Sequence, residues 1–280
     1  WVSTLPAPDQ RNIYTTLPSG TMVALNAANA GLLAPYLTSI DAAGLIRQVR
    51  EQPLGAIVDS TPAILDPPSL DPPPDPDYPA FATANVNRRT LVFVGANDGM
   101  LHAFDARTGL EVWAYVPFNL LPKLRALREG QPVGSFNYYV DSSAKIADVK
   151  VGGAWRTYLM FGQGPGGTYY QTLDVSLNDM AASLQPDSDD TSALLSFFSQ
   201  ADRIQHVWSF PARSSFDVSL APYGDISAGA SAAEKSVGET WSDPAVGQVE
   251  SSDSDWVALV GSGFLPRTRE LAPNRLGNTA

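Results

Sequence analysis

The chain has 280 residues, with 18 Lys and Arg against 29 Asp and Glu, a net charge of −11 with histidine neutral, and 44 % hydrophobic residues. This is the composition of a folded chain with a sizeable core, and its acidic balance without Lys/Arg clusters argues against nucleic-acid binding, which rests on cations paired with phosphates. The absence of cysteine excludes disulfides, thiolate metal sites and a cysteine nucleophile, and no apolar run approaches the ~20 residues of a membrane span.

Residues 1–52 read as a lead-in segment. Ala-rich, weakly amphipathic stretches such as Ile40 to Arg47 predict one or two short helices there. The chain starts at Trp1 without a basic-then-apolar leader, so any targeting segment is expected to have been removed or to lie outside this sequence. From residue 53 onward the pattern changes to short apolar runs rich in Val, Ile, Tyr and Trp, separated by Gly, Pro and Asp, as in strands and turns.

Those runs repeat. Ser60-Thr61-Pro62-Ala63-Ile64, Ser142-Ser143-Ala144-Lys145-Ile146 and Ser242-Asp243-Pro244-Ala245-Val246 open three units. Each is followed by a second strand ending in glycine: Leu91 to Gly95, Tyr158 to Gly162 and Val257 to Gly261. In the first unit the two are separated by Asp66 to Pro79, DPPSLDPPPDPDYP, whose proline density predicts a surface loop. Two units continue alike, with a strand ending in Asp (Met100 to Asp105; Tyr169 to Asp174) and then a strand with a central Trp (Glu111 to Tyr115; His206 to Phe210). The first pair is joined by the tight turn Ala106-Arg107-Thr108-Gly109, whereas the second is joined by an insertion from Val175 to Gln205. Part of that insertion, Ser192 to Ala201, reads as a short helix.

Four short strands per unit, stacked radially so that each sheet covers its neighbour's apolar faces, is the logic of a β-propeller. A sandwich could use the same strands but gives no reason for the repeated Ser…Gly…Asp…Trp frame. The fold expected is all-β: a partial β-propeller of four-stranded antiparallel blades with loop insertions, about two and a half blades over residues 53–264. A closed ring needs at least ~4 blades, so residues 265–280 read as a polar tail or linker to missing blades.

The residues also carry a family resemblance. Val94 to Pro117, VGANDGMLHAFDARTGLEVWAYVP, resembles the C-terminal propeller of the PilY family of type IV pilus tip and assembly proteins. Further blocks follow the family order. Pro53 to Pro62 is similar to its LGDIVxSxP strand, with Ala56 where Asp is usual. Tyr139-Val140-Asp141 and Ala147-Asp148-Val149 match the start of its second blade. Gly153 to Thr157 precedes a Gly-rich run and Leu173-Asp174-Val175. Trp256 to Phe264 is similar to W-x-x-x-x-G-N-G-Y, with Ser262 and Phe264 as replacements. The resemblance covers residues 11 to 264.

It implies an exported protein at the pilus tip, with a periplasmic or outer-membrane-associated pool. It further implies contacts with minor pilins and with a host or abiotic surface, and a non-enzymatic role in pilus assembly, retraction and adhesion. Calcium, bound by an Asp-rich loop in some members, is expected in a later blade and not in this chain. The Arg-Gly-Asp tripeptide of some members is absent; the nearby stretch is Arg47-Gln48-Val49-Arg50.

The search for chemistry yields no catalytic, cofactor-binding or metal residue. Asn97-Asp98-Gly99 with Trp113 is also similar to the repeat of quinoprotein dehydrogenases, where the Trp packs between sheets. A quinoprotein-like dehydrogenase and a periplasmic scaffold for outer-membrane assembly therefore stand as alternative functions. Asp98-Gly99 reads as a turn capped by its own side chain, and Trp113 and Trp208 read as core. His102 and His206, 104 residues apart, read as separate strand histidines. Gly162 to Gly167 lacks the helix that a phosphate cradle needs and reads as a turn. Asp66, Asp71, Asp75 and Asp77 are separated by prolines, and Asp187-Ser188-Asp189-Asp190 and Asp253-Ser254-Asp255 lack the Gly and distal Glu of a calcium loop. Ser227 to Ser236 reads as a flexible insertion. Recognition is expected in the insertions Asp66 to Pro79, Val175 to Gln205 and Ala212 to Lys235.

Overall fold

In the first blade four strands pair antiparallel in chain order: β3 (Ala63–Leu65), β4 (Leu91–Gly95), β5 (Leu101–Asp105) and β6 (Glu111–Val116). These are the four runs expected from the sequence. The structure, a computed structural model, describes residues 4–68, 73–129, 137–176, 189–220, 222–249 and 256–263. Two strands from the lead-in enlarge this sheet. β1 (Ile13–Thr16) pairs parallel to β6, and β2 (Met22–Ala24) pairs antiparallel to β1, giving the order β2-β1-β6-β5-β4-β3. The sequence reading placed only helices in residues 1–52. Two are present, α1 (Ala30–Leu37) and α2 (Ala42–Glu51), but the strands are an addition that short, non-alternating runs did not signal.

The second blade consists of β7 (Ala144–Val151), β8 (Ala154–Phe161), β9 (Tyr170–Asp174) and β10 (Gln205–Phe210), all antiparallel neighbours. Within the first unit α3 (Tyr78–Ala84) follows the Pro-rich stretch and precedes β4, α4 (Arg125–Glu129) lies between the two blades in sequence, and α5 (Thr191–Phe197) occupies the second unit's insertion. A short hairpin, β11 (Phe216–Asp217) with β12 (Asp225–Ile226), and the helix α6 (Ala232–Lys235) lead to the third unit. Its described strands are β13 (Ala245–Gln248) and β14 (Trp256–Leu259). The described residues thus form a sheet-rich partial propeller: a first blade of four antiparallel strands extended to six by the lead-in, a four-stranded antiparallel second blade and two paired strands of a third.

The repeated frame has a structural cause at each position. In both blades the Trp-bearing strand has a bulge one residue before the Trp. Trp113 pairs with Ala103 while Val112 is skipped, and Trp208 pairs with Thr172 while Val207 is skipped. The Asp that ends the third strand caps its own turn: Asp105 Oδ1 accepts from Thr108 N at 2.8 Å, and Asp174 Oδ1 from Ser176 N at 2.9 Å. The glycine that ends the second strand marks a close approach between blades. A Cβ on Gly95 would lie 2.5 Å from Val140 O, and one on Gly162 would lie 2.2 Å from Thr240 O. Val140 and Thr240 each stand two residues before the Ser that opens the following unit.

Two cores flank the first blade. Leu91, Phe93, Leu101, Ala103, Trp113 and Tyr115 pack towards Leu159, Phe161, Leu173 and Val175 of the second blade. The opposite face, with Ala114 and Val116, packs on Leu33, Leu37, Leu45, Ile46 and Val49 of the helical pair. In α2 the buried residues Ala42, Leu45, Ile46 and Val49 follow helical spacing, and Asp41 caps the start by accepting from Gly44 N at 2.9 Å. The lead-in helices therefore cover the blade face on which a preceding sheet would otherwise lie.

Candidate functional site

The chemistry-bearing side chains of the first blade meet in one buried chain of charges. Arg11 forks onto Glu111, Nε to Oε1 at 2.7 Å and Nη2 to Oε2 at 2.9 Å. His102 bridges Glu111 Oε2, 2.6 Å from Nδ1, and Asp98 Oδ1, 3.1 Å from Nε2. Asp98 Oδ2 accepts from Gly55 N at 3.0 Å. All four side chains are buried. Burial alone would push the imidazole down, but the carboxylates of Asp98 and Glu111 on its two nitrogens outweigh it and raise His102 to about 9. Burial likewise raises Glu111, yet His102 and Arg11 hold it at about 2. Two cations and two anions compensate one another, as burial of charge requires.

Arg11 also donates from Nη1 to Arg50 O at 3.0 Å, and Arg50 Nη2 donates to Arg11 O at 2.7 Å, so the lead-in is locked to the blade. His102, expected as a satisfied strand histidine, is the keystone of that lock.

Asn97-Asp98-Gly99 is the turn expected, with Met100 N donating to Asp98 Oδ1 at 3.2 Å and Gly99 at φ 101°. It is also a three-way joint. Asn97 donates from its backbone N (3.0 Å) and Nδ2 (3.1 Å) to Ala56 O, and its Oδ1 accepts from Tyr139 N at 2.8 Å. Gly162 to Gly167 forms the turn between β8 and β9. Between the blades lies a neutral counterpart of the charge lock. Asn119 and Gln163 exchange side-chain bonds at 2.9 and 2.8 Å, Gln171 Nε2 donates to Asn119 Oδ1 at 2.9 Å, and Tyr115 OH donates to Gln171 Oε1 at 2.9 Å.

His206 has different neighbours from His102. It lies against Phe118, and Arg213 Nη1 sits 2.6 Å from its Nδ1. Burial first, and then the Arg213 charge, lower it to about 4, so it is a neutral acceptor. Trp113 is fully buried and 5.5 Å from Phe93. Trp208, expected as its core equivalent, is only half-buried and lines a groove of about 360 Å³ with Val149, Tyr158, Met160, Val246 and Trp256. The groove lies between the second blade and the two described strands of the third.

The Asp66 to Pro79 insertion departs from the surface-loop expectation. In Asp66 to Pro79, residues 69–72 lie outside the described residues, but the rest straps the first blade to the second. Lys150 Nζ lies 3.0 Å from Asp75 Oδ2 and 2.6 Å from Asp77 Oδ2, Tyr78 OH donates to Asp148 Oδ2 at 2.7 Å, and the Tyr78 ring is 1 % exposed, 4.7 Å edge-on to Trp155. The alternation of Asp and Pro concealed an aromatic anchor immediately after it. The described part of Val175 to Gln205 includes the expected short helix, which buries Leu194 and Phe197 in the shared core while Asn12 Nδ2 donates to Leu195 O at 2.9 Å. Ser227 to Ser236, expected as flexible, holds a helical turn with a capping box between Ser231 and Glu234.

Of the carboxylates considered for a metal, Asp71, Asp187, Asp253 and Asp255 lie outside the described residues. Asp189 binds Arg107 Nε at 3.2 Å, and Asp190 caps α5. Among the described residues no group of three or more His, Asp or Glu side chains is close enough to hold a metal ion.

Comparison with known proteins gives this arrangement a context. Residues 54–186 match the family model described as the PilY1 beta-propeller domain. Similar curated proteins include "Type IV pilus biogenesis factor PilY1" of Pseudomonas aeruginosa strain UCBPP-PA14, 38 % identical over 137 residues, which are 46 % of this chain and 12 % of that protein. Another is "Type IV pilus biogenesis factor PilY1 homolog" of Xylella fastidiosa strain Temecula1, 48 % identical over 102 residues, 35 % of this chain and 8 % of that protein. Among solved structures, the crystal structure of the Pseudomonas aeruginosa PilY1 C-terminal domain is similar at 27 % identity, over 67 % of this chain and 27 % of that one, with a TM-score of 0.39. The matches thus span only a small part of the length of these relatives. Over residues 54–186 the chain matches the PilY1 beta-propeller model, in agreement with the resemblance read from the motifs.

Proposed function

From the match to the PilY1 beta-propeller model over residues 54–186, we propose that the chain is part of a type IV pilus biogenesis factor, a non-enzymatic propeller at the pilus tip acting in assembly, retraction and surface adhesion. The observation that carries this reading is the coincidence of the matched stretch with the blade frame: it spans all of the first blade and the first three strands of the second. The relatives' naming as pilus biogenesis factors supports the coarser part of the proposal. Tip placement, minor pilins as partners and a host or abiotic surface as target follow from the family relation and belong to the proposal. So does calcium in a later blade. Consistent with a scaffold, the blade's buried ionisable groups are spent on joints: Arg11, His102, Glu111 and Asp98 bind one another, and Arg89 binds Asp105. Among the described residues no helix is long and apolar enough to cross a membrane.

The test is genetic and visual. Deleting the gene from its own host should remove most surface pili, and the tagged full-length protein should mark pilus ends in cryo-imaging. Normal piliation with the tag absent from pili would overturn the reading. Stoichiometric binding of pyrroloquinoline quinone with alcohol oxidation would replace it by the dehydrogenase alternative.

A further inference from the structure

The buried ion pairs of the first blade use one edge of the guanidinium. Arg11 places Nε and Nη2 on the two oxygens of Glu111, and Arg89 places the same two nitrogens on the two oxygens of Asp105. The N–H groups on this edge point the same way and match the spacing of carboxylate oxygens, so the paired bond is stronger and more directional than a single one.

Arg213 carries the same edge without a carboxylate. Its Nη1 lies 2.6 Å from His206 Nδ1. Its Nε is buried without a hydrogen-bond partner, and no acidic side chain pairs with this arginine among the described residues. The contact at Nδ1 makes that nitrogen the acceptor and leaves the imidazole proton on Nε2, which is also buried without a partner. One positive charge and two orphaned donors are therefore held together. Donors buried in this way are costly unless a water or a ligand supplies the acceptor that the protein does not.

The pair stands beside a cavity of about 420 Å³. Gly20, Thr21 and Met22 line it from the turn between β1 and β2, and Ala201, Asp202, Gln205 and His206 line it around the start of β10. Arg213 meets this wall at Gly20, where φ is 96° and a Cβ would fall 2.8 Å from Nη2. Asp202 is exposed and lines the same cavity, yet it makes no ion pair with Arg213 among the described residues. Its charge disfavours multiply charged anions, so a single carboxylate is the better match to one guanidinium.

We propose that this crevice binds a carboxylate, whose two oxygens take Nε and Nη2 of Arg213 as Glu111 takes those of Arg11. His206 is a positioning residue: by accepting at Nη1 it holds the guanidinium plane and leaves the Nε–Nη2 edge for the ligand. The carboxylate belongs to a free organic acid or to an Asp, Glu or C-terminus of a protein partner, and the chemistry recognised is the same.

The experiment is arginine labelling by phenylglyoxal in the full-length gene product, read residue by residue by mass spectrometry against NaCl of equal ionic strength. Arg213 should label in the absence of ligand, and saturating sodium acetate should lower that labelling about tenfold. Arg47, exposed on α2, should label equally in both. Hexaglutamate separates the sources: protection by this peptide as well assigns the site to an acidic segment of a protein partner, and protection by acetate alone assigns it to a free acid. Protection by neither overturns the proposal, as does an equal loss with NaCl, which marks charge screening. An Arg213 that fails to label without ligand also overturns it, because its edge is then closed to any acid.

Discussion

The two blades carry the same frame in different company. Trp113 and Trp208 sit at the same register after the same bulge, yet one is fully buried and the other half-buried. The difference lies in what faces each ring. Trp113 looks onto a blade that contributes Leu159, Phe161, Leu173 and Val175. Trp208 looks onto two described strands, with Val246, Trp256 and Val257 leaving a groove. Strand register fixes which way a side chain points, but its burial is set by the next sheet.

The largest effects should come from the first blade. Arg11→Ala leaves the buried Glu111 and Asp98 with His102 as the one remaining cation of the lock and should cost about 3–5 kcal/mol in urea unfolding; a loss under about 1 kcal/mol would mean that the lead-in is not locked by charge. Trp113→Ala should cost about 3–5 kcal/mol, whereas Trp208→Ala, already half in water, should cost about 1–2 kcal/mol. Equal losses would dissolve the contrast between the blades. The strap falls between these, since Tyr78→Ala should cost about 2–4 kcal/mol. Tyr78→Phe, which keeps the ring and removes the bond to Asp148, should cost about 1 kcal/mol.

The subtlest test is the pH profile of stability. His102 is raised to about 9 in the fold, so its contribution is complete below its ordinary value near 6.5 and is lost as pH rises to about 9. Glu111, held at about 2, contributes fully above its ordinary value near 4.5 and loses that contribution as pH falls through 2. His206, lowered to about 4, works against the fold as pH drops from 6.5 towards 4, because the unfolded chain takes up the proton first. His102→Gln should therefore flatten the alkaline limb and leave the His206 limb in place. Unchanged alkaline loss in that variant would assign the limb to other groups.

Much of the propeller could be read before any coordinates. Val, Ile, Tyr and Trp at strand spacing, a glycine after the second strand and an Asp before a turn are local requirements, met by residue types that recur at each repeat. The tight turn at Asp105 needs its cap, and the close approach at Gly95 tolerates no Cβ, so both leave a mark in the sequence. The charge lock left none. Arg11 and Glu111 are 100 residues apart in sequence, and no short motif joins them to His102 and Asp98. The parallel addition of β1 was equally silent, because a four-residue strand acquires its meaning only from the edge it meets.

The Pro-rich insertion shows why composition misleads at such places. Prolines exclude regular pairing, but they do not prevent Asp75 and Asp77 from reaching Lys150, or Tyr78 from wedging against Trp155. What the sequence by itself determined was the set of strands, their order within a blade and the positions where only Gly or Asp will serve, since those depend on neighbours a few residues away. What only the tertiary structure decided was which equivalent side chain is dry, which histidine is charged and which loop is a strap. Those properties depend on the sheet or charge brought alongside from far along the chain.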